Sequence, residues 1–204
     1  MEQIFIRDYP EGIPFMKIAF ILYDGVTTLD FAGMYDPVTR LKTMGFLPDL
    51  AYDVCALTER VRAFEGITLV PDRYGCDLAG YDYVLVPGGN SIKELLKDRT
   101  FPGWIARVPD KTVIAAVCGG ALIVGAAGKL RDRRATTHPA LLDFLKHFAK
   151  EVSADRIVED RNVITAGGVT ASIDLGLYLT EKIAGAGVRE KIQAQMDYHA
   201  YITR

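Results

Sequence analysis

KTVIAAVCGGALIVGAAGKL, residues 111–130, carries an apolar run into a cysteine, then two glycines, then a second apolar run. The first run suits a fully buried strand, because it is short and rich in small and β-branched residues. The second, GALIVGAAGKL, suits a helix. Gly119 and Gly120 let the chain turn sharply between them and leave room over the Cys118 sulfur. The first N–H groups of a helix are unpaired and carry partial positive charge. A thiolate at this junction is therefore expected to be stabilised, with its pKa below the free value of about 8.5. The arrangement resembles a strand-to-helix nucleophile elbow, with cysteine in place of serine and without the full glycine pattern. The competing reading of Cys118 is a small core residue, since cysteine is among the most buried types.

Working outward, strand and helix patterns alternate almost throughout. MKIAFILYDG reads as a buried strand ending in a turn, and YDVCALT and YDYVLVPGG read as further strands. GITLVPDRY is a weaker strand, antiparallel or at an edge, because Pro71 cannot donate to a ladder. PVTRLKTMGF has helical character with Pro37 in its first turn. SIKELLKD is a helix that Asn90 or Ser91 would cap. RRAT is a short strand, HPALLDFLKHFAK a helix, and DRIVEDRNVITAGG two short strands around a polar turn. VTASIDLGLYLTEKI is a buried helix. VREKIQAQMDY is an amphipathic one, apolar at Val188, Ile192 and Met196. The alternation predicts an α/β/α sandwich around a mostly parallel sheet. Ligands then bind beyond the carboxyl ends of the strands, where YDGVTTLDFAG, PGGNS and CGG should gather.

The chain has 204 residues, half of them hydrophobic and a quarter charged, which suits one globular domain. Residues 1–15, with Pro10 and Pro14, read as an extension, and 16–204 as a single domain. The net charge of −2 gives no broad basic footprint for nucleic acid. LRDRRATTH, its basic side chains diluted by Asp132, reads as a solvated surface stretch. No segment is apolar for long enough to span a membrane, and the amino terminus lacks the basic start and apolar core of a signal peptide. The expected location is cytoplasmic. Three widely spaced cysteines, Cys55, Cys76 and Cys118, form neither a disulfide framework nor a metal pair. Neither Cys55 nor Cys76 meets a helix start, and both read as packing residues.

Three separated motifs, VLVPGG, AAVCGGALIVGAAGKLRDRRATTH and NVITAGGVTASIDLGL, resemble the ThiJ/PfpI superfamily in content, order and spacing, from about Met16 to about Tyr198. TTLDFAGMYDPV further resembles a subgroup with Leu-Asp-x-x-Gly in the loop after the first strand. That subgroup includes isocyanide hydratases and the sensor halves of AraC-type regulators. The resemblance implies a flavodoxin-like sandwich, a homodimer, a reactive Cys118, and no metal or organic cofactor.

Asp30 is the main candidate partner of Cys118. A carboxyl close to a thiolate in a partly dry site has a raised pKa and could act as a general acid; alternatively Asp30 caps the next helix. Gly89 and Gly119 could aim backbone N–H groups at a developing anion, or simply make tight turns. His138 matches a histidine that relatives keep near the cysteine. It could orient water or tune the thiol, or be a hydrogen-bonded structural residue. Asp174, near a helix start, reads first as structural support and second as a residue acting behind the site.

The departures from relatives narrow the chemistry. Protease-like members place His directly after the cysteine, where Gly119 stands here. Glutamine amidotransferases need a His-x-Glu pair near the chain end, which DYHAYITR lacks. Hydratase-like members often carry Thr after the cysteine and a Pro-rich tail. The leading expectation is isocyanide hydratase-like hydration of a small electrophile, through a Cys118 thioimidate with Asp30 as general acid. Glutathione-independent glyoxalase-type carbonyl chemistry and a non-enzymatic redox or ligand sensor using Cys118 are the alternatives.

Overall fold

A computed structural model describes residues 15–199; the expected extension otherwise lies outside the described residues. A seven-stranded sheet forms the middle layer. From one edge it runs β10 (Ile157–Asp160), β11 (Val163–Ala166), β7 (Val113–Val117), β6 (Tyr83–Val86), β1 (Lys17–Ile21), β2 (Ala51–Ala56) and β5 (Arg73–Tyr74). All neighbours are parallel except β10 and β11. Four of the five residues in β1 and in β7 are buried, as strands covered by helices on both faces require.

Two groups of helices flank the sheet. One is α1 (Thr28–Thr43), α6 (Ala171–Ala184) and α7 (Ala186–Gln195), which pack on one another. The other is α2 (Ile92–Lys97), α3 (Thr100–Ala106), α4 (Gly120–Ala126) and α5 (Leu142–Leu145). The result is the expected α/β/α sandwich. Small two-stranded pieces decorate it: β3 (Val61–Arg62) with β4 (Thr68–Leu69), and β8 (Arg134–Ala135) with β9 (Glu151–Val152). No helix among the described residues is long and apolar enough to cross a membrane.

The chain passes from β1 outward to β2 and then returns to the other side of β1 as β6. The switch point therefore opens beyond the ends of β1 and β6, where α/β sheets bind ligands. Cys118 follows β7, the next strand along.

Local structure departs from the sequence pattern at several places. α1 begins at Thr28, so Asp30 sits in a helical first turn rather than a loop, and Pro37 lies inside the helix. Gly33 and Pro37 both weaken an isolated helix, but packing on α6 overrides them. A Cβ at Gly33 would come within 2.0 Å of Ser172 Oγ, and one at Gly176 within 2.7 Å of Pro37 Cγ. The two helices approach too closely for larger residues at these points. GITLVPDRY splits into β4 and β5 around Val70 and Pro71. HPALLDFLKHFAK yields only a 3-10 turn, Pro139–Leu141, and four-residue α5. Ser91 precedes α2 without capping it; its hydroxyl donates instead to the Asp24 carbonyl. α3 has no counterpart in the sequence reading.

Candidate active site

Cys118 has φ +55°, left-handed backbone that L residues other than Asn and Asp seldom adopt. Main-chain contacts hold it there. Its N–H donates to the Ala166 carbonyl (3.1 Å) and the Gly167 carbonyl (2.8 Å), and its own carbonyl accepts the Thr137 hydroxyl at 2.6 Å. Such strain costs on the order of 1–3 kcal/mol and persists only where the surroundings over-determine it. The sulfur is half-buried, and the N–H groups of Gly119 and Val169 are directed at it.

Asp30 reaches the same point from the first turn of α1. Its side chain is 0 % exposed. Among the described residues neither carboxyl oxygen has a partner at full hydrogen-bond geometry, although the Cys118 thiol and the Gly88 N–H lie against it. A Cβ at Gly88 would stand 2.5 Å from Asp30 Oδ2, 2.7 Å from the Gly119 nitrogen and 2.8 Å from Cys118 Cβ. Gly88 is thus the floor on which acid and thiol meet. Thr27, not Asp30, is the residue preceding α1, and the capping carboxylate comes from Glu65, which accepts the Thr28 N–H and hydroxyl.

Burial, with a smaller push from the Glu65 charge, raises the Asp30 carboxyl to about 7 against the lowering influence of the Cys118 thiol and the Gly88 N–H. Burial and the Asp30 charge push the Cys118 thiol up to about 12. The expectation of a depressed thiol is corrected here. The favourable N–H groups of Gly119 and Val169 are outweighed by desolvation and the carboxylate, and α4 is only seven residues long. Through neutral pH the pair retains a proton between its two members.

Gly89 faces Val26 across an isolated antiparallel bridge, flanked by bonds from Thr27 N–H to the Gly88 carbonyl (3.0 Å) and from Asn90 N–H to the Gly25 carbonyl (2.8 Å). It joins the loops after β1 and β6. Gly119 has no space for a side chain: a Cβ would fall 2.8 Å from Ile92 Cγ1. Ile92 occupies the volume that a threonine there would need.

His138 is half-buried, with its Nδ1 accepting the Ala140 N–H at 3.1 Å and its ring packed over Gly168, beside Val169. Nε2 therefore carries the proton in the neutral ring. Asp174 pairs with Arg156 and accepts the Tyr198 hydroxyl at 2.9 Å. The Arg156 carbonyl accepts the Gly167 N–H (2.9 Å), and the Gly167 carbonyl accepts the Cys118 N–H. Asp174 is thus linked to Cys118 through its Arg156 ion pair and this relay of main-chain bonds.

The sequence reading missed Gly88, Val169 and Tyr23. Tyr23 is buried, donates to the Pro87 carbonyl at 2.9 Å, and is held well above its ordinary pKa by burial and by nearby Asp30 and Cys118. Its place at the end of β1, in YDG, was the available signal. No group of three or more His, Cys, Asp or Glu among the described residues is placed to hold a metal ion.

Comparison with known proteins agrees with this fold. The sequence profile described as the DJ-1/PfpI family matches residues 16–182. The isonitrile hydratase of Pseudomonas putida is 33% identical over 185 residues, 90% of this chain and 78% of that protein. The crystal structure of a ThiJ/PfpI family protein from Pseudomonas syringae superposes with a TM-score of 0.83 at 28% identity, covering 95% of this chain and 81% of that one. An AraC family transcriptional regulator from Pseudomonas putida shares the fold, with a TM-score of 0.72 at 20% identity over 89% of this chain and 99% of that one.

Proposed function

The chain belongs to the DJ-1/PfpI family, and from that premise we propose that it is a cysteine-dependent hydro-lyase that hydrates an isocyanide to an N-substituted formamide. The observation that carries this reading is the fully buried, otherwise unpartnered Asp30 carboxyl set against the Cys118 thiol across Gly88. A carboxylic acid poised near 7 beside a sulfur is a proton donor at the point of attack.

The pair rests as Cys118 thiol and Asp30 carboxylate, and it reacts through the minor form in which the thiol proton has passed to Asp30, leaving Cys118 thiolate beside protonated Asp30. The sulfur attacks the terminal carbon of the isocyanide, and Asp30 delivers its proton to that carbon, giving a thioimidate and the Asp30 carboxylate. Water then adds to the imidate carbon. Its hydroxyl goes to carbon while Asp30 relays a proton to nitrogen. The C–S bond breaks, the carbonyl forms, the last proton returns to Asp30 and the formamide leaves. The Gly119 and Val169 N–H groups stabilise the sulfur as its charge changes. His138 and Asp174 position the 138–140 turn and the loop behind Cys118. No cofactor is needed for these steps.

A second copy of the chain is the partner this reading implies. Exposed Leu29 and Phe64 flank the Glu65–Thr28 contact beside the site, with Ile67 on the same hairpin. Light scattering in solution checks for a dimer.

The test is formamide production from an aryl isocyanide. Wild type is expected to turn over, Cys118→Ala to be inactive and Asp30→Asn to be severely impaired. A folded wild type that yields no formamide from several isocyanides overturns the assignment.

A further inference from the structure

Tyr23, just past β1, is a buried titratable group that the steps above leave unused. It is 4 % exposed, its ring packs edge-on against Phe101 of α3 at 5.2 Å, and its hydroxyl donates to the Pro87 carbonyl at 2.9 Å. The same carbonyl abuts the start of α4, where a Cβ at Gly120 would lie 2.8 Å from the Pro87 oxygen. The proline ring fixes φ at Pro87, so ψ is its one soft torsion, and the Tyr23 bond settles it. The peptide continues into Gly88, whose own carbonyl accepts the Thr27 N–H at 3.0 Å. Gly88 is a permissive residue, and these two bonds hold the peptides on either side of it. A Cβ there would stand 2.5 Å from Asp30 Oδ2 and 2.8 Å from Cys118 Cβ, so any shift of the backbone at Gly88 moves the floor under both.

We propose that Tyr23 is a positioning residue of the site: through the Pro87–Gly88 peptide, its hydroxyl sets the distance and the proton sharing between Asp30 and Cys118. A peptide group is rigid and planar, so a donor on its Pro87 oxygen fixes the direction of the Gly88 N–H at its other end. The group also passes on polarisation, because a carbonyl that accepts a hydrogen bond makes its N–H a better donor. That N–H lies against the Asp30 carboxyl, beside the Cys118 thiol. Burial keeps the Tyr23 hydroxyl protonated far above neutral pH, so it donates throughout the range in which Asp30 titrates. Cys118, Tyr23 and, at the helix start, Glu65 are the titratable groups that bear on Asp30. Tyr23 takes no proton in the reaction; it acts through Gly88.

Tyr23→Phe removes one oxygen and keeps the ring against Phe101. The Pro87 carbonyl then loses this donor, and the Gly88 N–H is free to turn from the carboxylate. A carboxylate with fewer donors is less stable as an anion, so Asp30 takes up its proton at a higher pH than in wild type. With the carboxylate displaced or protonated, its restraint on the neighbouring thiol weakens. Both effects require Asp30 and vanish where position 30 is Asn.

The experiment measures two properties of the full-length protein. The first is the pH profile of aryl isocyanide hydration, which rests on the hydratase reading above. In Tyr23→Phe the acid limb of kcat/KM should move up by about half a pH unit, and kcat should fall roughly tenfold with little change in KM. The second is alkylation of Cys118 by iodoacetamide at pH 8, which needs no substrate and does not depend on that reading. Tyr23→Phe should alkylate faster than wild type, and adding it to Asp30→Asn should change the rate no further. A hydroxyl that only stabilises the fold lowers the melting temperature and leaves the acid limb in place. An unmoved acid limb overturns the proposal, as does an unchanged alkylation rate or an equal acceleration in both backgrounds. Wild type without turnover removes the hydratase reading, and the two alkylation comparisons then decide for or against Tyr23.

Discussion

Glu65 and Thr28, thirty-seven positions apart, close the amino-terminal end of the Asp30 helix: the Glu65 carboxylate accepts the Thr28 N–H at 3.1 and 3.3 Å and the Thr28 hydroxyl at 2.7 Å. Thr27, the residue before the helix, makes no such bond. The cap is supplied from a distant hairpin, so removing it costs what loss of a local cap costs. Glu65→Ala should destabilise the protein by about 1 kcal/mol. Urea unfolding with an unchanged midpoint would show the cap to be idle.

Asp30 makes stability depend on pH. Its folded value of about 7 lies above the unfolded value of about 3.9. The native state therefore holds a proton that the unfolded chain releases, and stability falls as pH rises from about 4 to about 7. Asp30→Asn removes this dependence. The variant should be more stable than wild type at pH 8, by at most roughly 4 kcal/mol, with the gap shrinking toward pH 4. Parallel denaturation series at the two pH values check it, and an equal gap at both would contradict a raised Asp30.

The same carboxylate suppresses the thiol. In wild type, alkylation of Cys118 by iodoacetamide should keep accelerating beyond pH 9, because burial and Asp30 push that thiol up to about 12. In Asp30→Asn the charge is gone, so the pKa falls and alkylation at pH 8 should be faster. Mass spectrometry of the Cys118 peptide gives the rates. A slower variant would mean that Asp30 activates the sulfur rather than restraining it.

Gly88→Ala puts a methyl group 2.5 Å from Asp30 Oδ2 and 2.8 Å from Cys118 Cβ. Acid and sulfur must separate, and misplacement by about 1 Å costs on the order of a hundredfold in rate. Turnover should drop by at least that factor. Isocyanide hydration by a folded Gly88→Ala protein at wild-type rate would remove Gly88 from the account of the site.

Gly119 and Ile92 should be coupled. Gly119→Thr drives its Cβ to 2.8 Å from Ile92 Cγ1, an overpacking of about 1–3 kcal/mol. Ile92→Ala leaves a gap, and the double variant should recover part of both losses. A double-mutant cycle with strictly additive energies would show that the two side chains do not compete for one volume.

The elbow was legible because the apolar run Val113–Val117 breaks at Cys118 and two glycines, a change of pattern that needs no tertiary information. The start of α1 was not. Gly33 and Pro37 argue against a helix locally, and only the close passage of α6 compensates them. α3 stayed hidden for a similar reason, with Pro102 and Gly103 at its centre and Phe101, Trp104 and Ile105 buried by the neighbouring layers. Asp30 was legible as a partner of Cys118, whereas Gly88 and Val169 were not, because they act through backbone groups whose direction no residue letter records. The thiol's shift was misjudged from the helix terminus alone, since desolvation depends on what surrounds the sulfur in space.

Both peptide groups of Cys118 are anchored, the N–H on Ala166 and Gly167 and the carbonyl under Thr137. The scaffold therefore fixes where the β-carbon sits, and the side chain contributes only the atom at its end. That atom is exchangeable. Selenium introduced at position 118 would inherit the same address, opposite the same acid, with a far more acidic and more polarizable head.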